Sequence, residues 1–146
     1  MPRDLHGRRF DEVKAQGTVI GYAYVVGDIL HAGHLRHLRN CKGLCDKLIV
    51  GVLTDEAVME KKPPPAVRFE ERIEMIGALD CVDAAVAQET YSPLPNILEI
   101  RPNILFESTS HEGRSYPEFE GRIMVMPYYP SQSSSNIKNR IKEAKK

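Results

Sequence analysis

The sequence lacks a surplus of either charge. Its 146 residues carry twenty Lys+Arg and twenty Asp+Glu, for a formal net charge of zero. A sequence-independent grip on nucleic acid requires excess basic charge, and so does adhesion to an anionic membrane surface. Neither is expected as a partner. The chain has no uninterrupted apolar stretch of about 18 residues, so no bilayer-spanning helix is expected. Its start, Met1 to Arg9, has no apolar signal-peptide core. The cysteines number only three, an odd count that makes no disulfide framework. These absences predict a soluble, cytoplasmic protein in a reducing compartment. What is present is a 42% apolar composition, enough for a single-domain core without covalent staples.

Residues 1–17 are charged and weakly periodic, with Phe10 and Val13 the only anchors, and read as an extension ending at Gly17. The domain is expected over 18–146. It begins with Thr18 to Val26, β-branched, aromatic and nearly continuous in apolarity, the pattern of a strand buried on both faces. Leu35, Leu38, Cys41 and Cys45 then recur at helical spacing, and Lys47 to Leu53 is a second buried strand. Residues 55–60 predict a short helix. Lys61-Lys62-Pro63-Pro64-Pro65 predicts an extended loop, because consecutive prolines remove donors and forbid helix. A helix over Val67–Leu79 follows, then a strand over Val82–Ala87, a helix over Pro93–Ile100, and strands at Asn103–Phe106 and Arg122–Met126. Ile137 and Ile141 mark a closing helix with a basic end. Strand alternating with helix predicts a single doubly wound, Rossmann-like α/β domain: a parallel sheet with helices on both faces.

Such sheets hold ligands at the carboxyl ends of their strands. Three polar clusters fall there. The first is Gly27-Asp28-Ile29-Leu30-His31-Ala32-Gly33-His34, where glycines permit close backbone approach and a helix opening near Gly33 is expected to offer free N–H groups. Two histidines three residues apart can address one anion and donate hydrogen bonds to growing charge. The second cluster is Lys61 and Lys62 with Arg68 and Arg72. The third is the run Ser133-Ser134-Ser135-Asn136 ahead of the last helix, suited to capping or to phosphate oxygens. Three separated anion sites on one edge suggest a triphosphate.

His31-Ala32-Gly33-His34 resembles the HxGH signature of the cytidylyltransferase-like nucleotidyltransferases, among them the glycerol-3-phosphate cytidylyltransferases. The likeness extends in order through Gly27-Asp28-Ile29-Leu30, the strand ending at Thr54-Asp55-Glu56, Phe69-Glu70-Glu71-Arg72 and the 133–135 serines, with Val25-Val26-Gly27 where relatives usually carry Gly-Thr-Phe and bind through backbone amides. It implies transfer of CMP, or else AMP, from CTP or ATP to a phosphorylated small molecule, with release of pyrophosphate and with Mg2+ riding on the triphosphate. It further implies that His31 and His34 brace the phosphates, that Lys61 and Arg72 neutralise developing charge, and that Val26, Gly27, Asp28, Gly33, Thr109, His111, Ser133, Ser134 and Ser135 contact the nucleotide. Family members are commonly dimers, so a homodimer is an expectation of the same resemblance. Two further segments depart from the pattern. Thr109, Ser110 and His111 stand where relatives carry a Gly-Asp-Asp-Trp-like stretch that helps to define the acceptor and base site. Tyr128 to Gln132 lacks the usual arginine.

Those departures keep a second reading open, a nucleotide-binding module without turnover. Blander readings exist for single residues: Lys61 and Lys62 as a solvated loop, Arg72 as a surface ion pair with Glu71. A zinc site from His34, His37, Cys41 and Cys45 is rejected by geometry. At about 1.5 Å per residue the ends of that stripe lie roughly 16 Å apart, far beyond shared coordination. The cysteines are expected in the core.

Overall fold

A computed structural model describes residues 17–108 and 114–127. The expected extension before Gly17 and the closing helix around Ile137 and Ile141 fall outside those residues. Five strands form one sheet in the order β3-β2-β1-β4-β5: β1 (Ile20–Val25), β2 (Lys47–Leu53), β3 (Ala84–Gln88), β4 (Ile104–Ser108) and β5 (Arg122–Met126). Every pairing is parallel. Four helices connect them, α1 (Ala32–Lys42), α2 (Asp55–Met59), α3 (Phe69–Gly77) and α4 (Leu94–Ile100). Among the described residues no helix is long and apolar enough to cross a membrane. The doubly wound α/β fold is the one the alternating pattern predicts.

Residues alternate between the faces of β1, and the two faces build different cores. Ala23, Val50, Val52 and Phe106 meet Leu38 and Cys41 of α1 and Ile76 of α3. Ile20, Tyr22, Ile49 and Leu105 meet Ile97 and Ile100 of α4. Cys41 and Cys81 are buried and Cys45 half-buried, as expected for core thiols. Burial pushes the Cys41 thiol up to about 12 and Cys45 to about 11, so both stay protonated.

Several boundaries differ from those the sequence predicts. The expected Val67–Leu79 helix begins only at Phe69, because the backbone of Val67 is bound from both sides by side chains. The third strand starts at Ala84 rather than Val82. Asp83, just before it, turns its carboxylate to the amide of Leu48 (2.8 Å) and the ammonium of Lys42 (2.7 Å). The fourth strand runs on to Ser108, which carries Glu107 to the carboxyl edge.

On the α4 face, the buried hydroxyl of Tyr22 donates to Gln88 Oε1 (2.5 Å) and accepts from Asn96 Nδ2 (3.0 Å). Gln88 in turn donates to the carbonyls of Thr90 and Tyr91, fixing the loop that leaves β3. This network needs Gly51: a Cβ there would collide with the Tyr22 hydroxyl. We expect Gly51→Ala to destabilise the domain by about 1–3 kcal/mol through overpacking. Adding Tyr22→Phe should restore part of that loss. Denaturant midpoints of the single and double variants measure both.

Candidate functional site

The turn after β1 is built from strained backbone. Gly27 takes φ +72°, where a side chain is disfavoured, and it is packed under Ile76. Ile29 adopts φ 51°, a conformation costly for a β-branched residue, of order 1–3 kcal/mol. Such strain persists only where the surroundings enforce it. Here they aim the next residues, His31 and His34, at the start of α1.

The two histidines cap α1 reciprocally. His31 is the N-cap residue, and its Nδ1 accepts the amide of Gly33 at 3.0 Å. The amide of His31 donates in turn to Nδ1 of His34 at 3.2 Å. The rings lie 4.1 Å apart, centre to centre, tilted by 47°. An Nδ1 that accepts carries no proton, so each ring is neutral and bears its hydrogen on Nε2. The electrostatics agree. Burial, with smaller contributions from His31 and His37, pushes His34 down to about 4, against a raising effect of Asp28. Burial lowers His31 as well. His31 Nε2 is shielded from solvent and has no hydrogen-bond partner among the described residues.

This corrects one expectation. The Gly33 amide is not open to a ligand, because the His31 ring has taken it. The donors that the turn presents are imidazole Nε2–H groups.

Asp28 is 3% exposed, and its two oxygens accept the amides of Ala66 and Val67, each at 2.9 Å. Arg72 is 1% exposed and is no surface partner of Glu71; Arg68 lies near that carboxylate, at 3.8 Å. Its guanidinium donates to the carbonyls of Val67 (2.8 Å), Val26 (2.5 Å) and Leu53 (2.7 Å) and to Asp55 Oδ1 (2.7 Å). Four of the five N–H donors of Arg72 are thus committed within the protein. Lys61 and Lys62 are exposed and enter no ion pair among the described residues. Thr109, His111, Ser133, Ser134 and Ser135 lie outside the described residues.

Sequence reasoning missed one group at this edge. Glu107, 2% exposed at the end of β4, accepts from the hydroxyls of Tyr24 (2.8 and 3.0 Å) and Tyr116 (3.3 Å). Arg114 lies 5.7 Å over the ring of Tyr91 nearby. The period-2 spacing of Tyr22 and Tyr24 places both phenols on one face and was the available signal.

The profile described as cytidylyltransferase-like matches residues 27–140. Among curated proteins, bifunctional protein HldE of Pelobacter propionicus is 31% identical over 149 residues, covering 97% of this chain and 30% of its own length. HldE of Campylobacter fetus subsp. fetus is 33% identical over 119 residues, covering 79% and 26%. The chain thus spans under a third of these relatives. Among solved structures, a lipopolysaccharide core biosynthesis protein from Thermoplasma volcanium superposes with a TM-score of 0.69 at 24% identity, covering 77% of this chain and 99% of that one. A pantoate–β-alanine ligase from Francisella tularensis does so with a TM-score of 0.52 at 18% identity, covering 89% and 69%. Both share the fold.

The capping geometry sets a pH dependence. The folded value of His34, about 4, lies below its ordinary 6.5, so between these limits the unfolded chain binds the proton first. Its contribution to stability is therefore whole above pH 6.5 and is lost as the pH falls toward 4. Unfolding measured from pH 7 down to 4.5 should be flatter in His34→Gln. At pH 7, nitrogen-15 NMR should show both rings as the Nε2–H tautomer, and an Nδ1–H signal at either would contradict the caps.

Proposed function

The chain belongs to the cytidylyltransferase-like family, and from that premise we propose that it moves a nucleotidyl group from a nucleoside triphosphate to a phosphorylated sugar. An acceptor phosphate oxygen attacks the α-phosphorus in line; the α–β bridging bond breaks and pyrophosphate leaves. No covalent intermediate on the protein is involved. Such a reaction asks a protein mainly for placement and for stabilisation of charge on phosphoryl oxygens.

The observation that carries this reading is the reciprocal imidazole cap. It fixes two neutral N–H donors at the carboxyl end of β1, one of them shielded and without a partner among the described residues. A preorganised donor of this kind needs no reorientation when negative charge grows. His31 and His34 brace the α- and β-phosphates, and Lys61 adds positive charge from its loop. Gly27 lets the backbone come close. Ser133, Ser134 and Ser135 take the far phosphates, and Thr109 and His111 face the nucleoside or acceptor, as the motif likeness implies. Mg2+ carried by the triphosphate would offset part of its negative charge. Asp28, the only carboxylate of the turn, has committed both oxygens to amides.

The motif likeness supports a reading with CTP as donor, and the similarity to the HldE proteins supports one with ATP. The acceptor they favour is a sugar phosphate. Three protonated core thiols suit the reducing cytoplasm.

His31→Asn separates the roles of the ring. Asparagine is a good N-cap, so the thermal midpoint should hold. The lost Nε2–H should cut turnover about 10²–10³-fold. Pyrophosphate release, with ATP or CTP and a panel of sugar phosphates, measures it. Tight nucleotide binding without release for any acceptor would instead identify a binding module.

A further inference from the structure

Asp28 and Arg72 are ionic groups almost wholly withdrawn from water, and their hydrogen bonds converge on one residue, Val67, from either side. The amide of Val67 donates to Asp28 Oδ1, and the carbonyl of Val67 accepts from Arg72 Nε. The other arms of Arg72 hold the carbonyl of Val26, the residue before the positive-φ Gly27, and that of Leu53 at the end of β2. They also reach Asp55 in the first turn of α2. The turn bearing the histidines and the loop bearing Lys61 are thus tied to one guanidinium.

The far end of the lysine loop is fixed too. The amides of Lys61 and Lys62 donate to the carbonyl of Val58, at 3.2 and 2.9 Å. Between the two anchors run Pro63, Pro64 and Pro65, whose rings restrict φ. A short bracket with stiff middle and fixed ends transmits displacement of one anchor to the lysines.

We propose that Arg72 and Asp28 are positioning residues that hold the Lys61–Lys62 loop in register with the histidine turn, so that the two halves of the phosphate site act as one frame. The inference rests on the reading of Lys61 as a phosphate-facing charge. A planar guanidinium suits the task because its fork serves four acceptors along separate directions; an ammonium has three donors on one atom. Burying a charge is costly, and an apolar side chain of like volume would stabilise the fold as well or better. What Arg72 supplies beyond stability is a fixed spatial relation between loops.

The test uses Asp28→Asn, which keeps shape and removes one charge and one acceptor, and Arg72→Lys, each alone and combined with Lys61→Ala. At saturating nucleotide and acceptor, each single variant should lose turnover on the order of tenfold or more, with a smaller change in KM. On the Lys61→Ala background the same substitution should cost less than about twofold, because what it positions is already gone. Equal losses on both backgrounds would overturn the proposal. Hydrogen exchange supplies a readout independent of activity. The amides of Ala66 and Val67 should exchange faster in Asp28→Asn while those of β1 and β2 stay protected, and unchanged protection at 66–67 would also overturn it. Should Arg72→Lys fail to fold, Asp28→Asn decides alone. Unaltered turnover in Lys61→Ala would remove the phosphate role of the loop, and exchange at 66–67 would still judge the clasp.

Discussion

A helix amide donating into an imidazole nitrogen sets the character of the turn after β1. An α-helix opens with N–H groups that have no partner inside the helix, and that end carries partial positive charge. In most anion sites of this kind the ligand meets those amides directly. Here His31 intervenes: its Nδ1 absorbs the Gly33 amide, and the ring carries a hydrogen on its opposite nitrogen. Linked hydrogen bonds polarise one another, so the donor strength of the helix terminus is relayed through the ring and delivered farther out. Neutrality is a condition of this arrangement. A protonated ring would set one N–H against another and break the cap.

Fixing that relay in space is costly. A left-handed isoleucine and two buried ions work against stability. The compensation comes from the sheet, whose central strand is buried on both faces, and from hydrogen bonds that leave the buried ions satisfied. The core on either side of β1 supplies rigidity, and the carboxyl edge spends it.

The fold was legible because buried parallel strands announce themselves. Thr18 to Val26 and Lys47 to Leu53 are nearly unbroken in apolarity, and no amphipathic surface strand looks like that. The histidine turn was legible too, since residue type and spacing alone mark it. Arg72 was not. Its neighbour Glu71 and its helical position look the same whether the side chain faces water or core, and only the tertiary path of three separate carbonyls decides. The start of the predicted Val67 helix was misplaced for a related reason. Local periodicity favours helix there, but Arg72 takes the Val67 carbonyl that the helix would have used, and Asp28 holds the Val67 amide. Glu107 was hidden because a carboxylate after an apolar strand reads as its solvent-facing end, whereas β4 continues and buries it.

Glu107 also gives the edge a polarity. On the α1 and α3 side of β1 stand neutral imidazole donors and, beyond β2, the lysine loop. On the α4 side a buried carboxylate faces two phenols, and burial together with Glu107 drives Tyr24 far above the ordinary phenol range, so it remains a protonated donor to the carboxylate. Tyr116 and Phe119 pack the 114–119 segment onto that same face. Negative charge entering the α4 side would meet an acceptor already committed and a like charge in a medium that screens poorly. The two sides of β1 therefore differ in kind: neutral imidazole donors stand on one, and on the other a carboxylate shared between two phenols with the Arg114 guanidinium close enough to interact with it. One strand thus separates two polar environments of different charge at the same edge of the sheet.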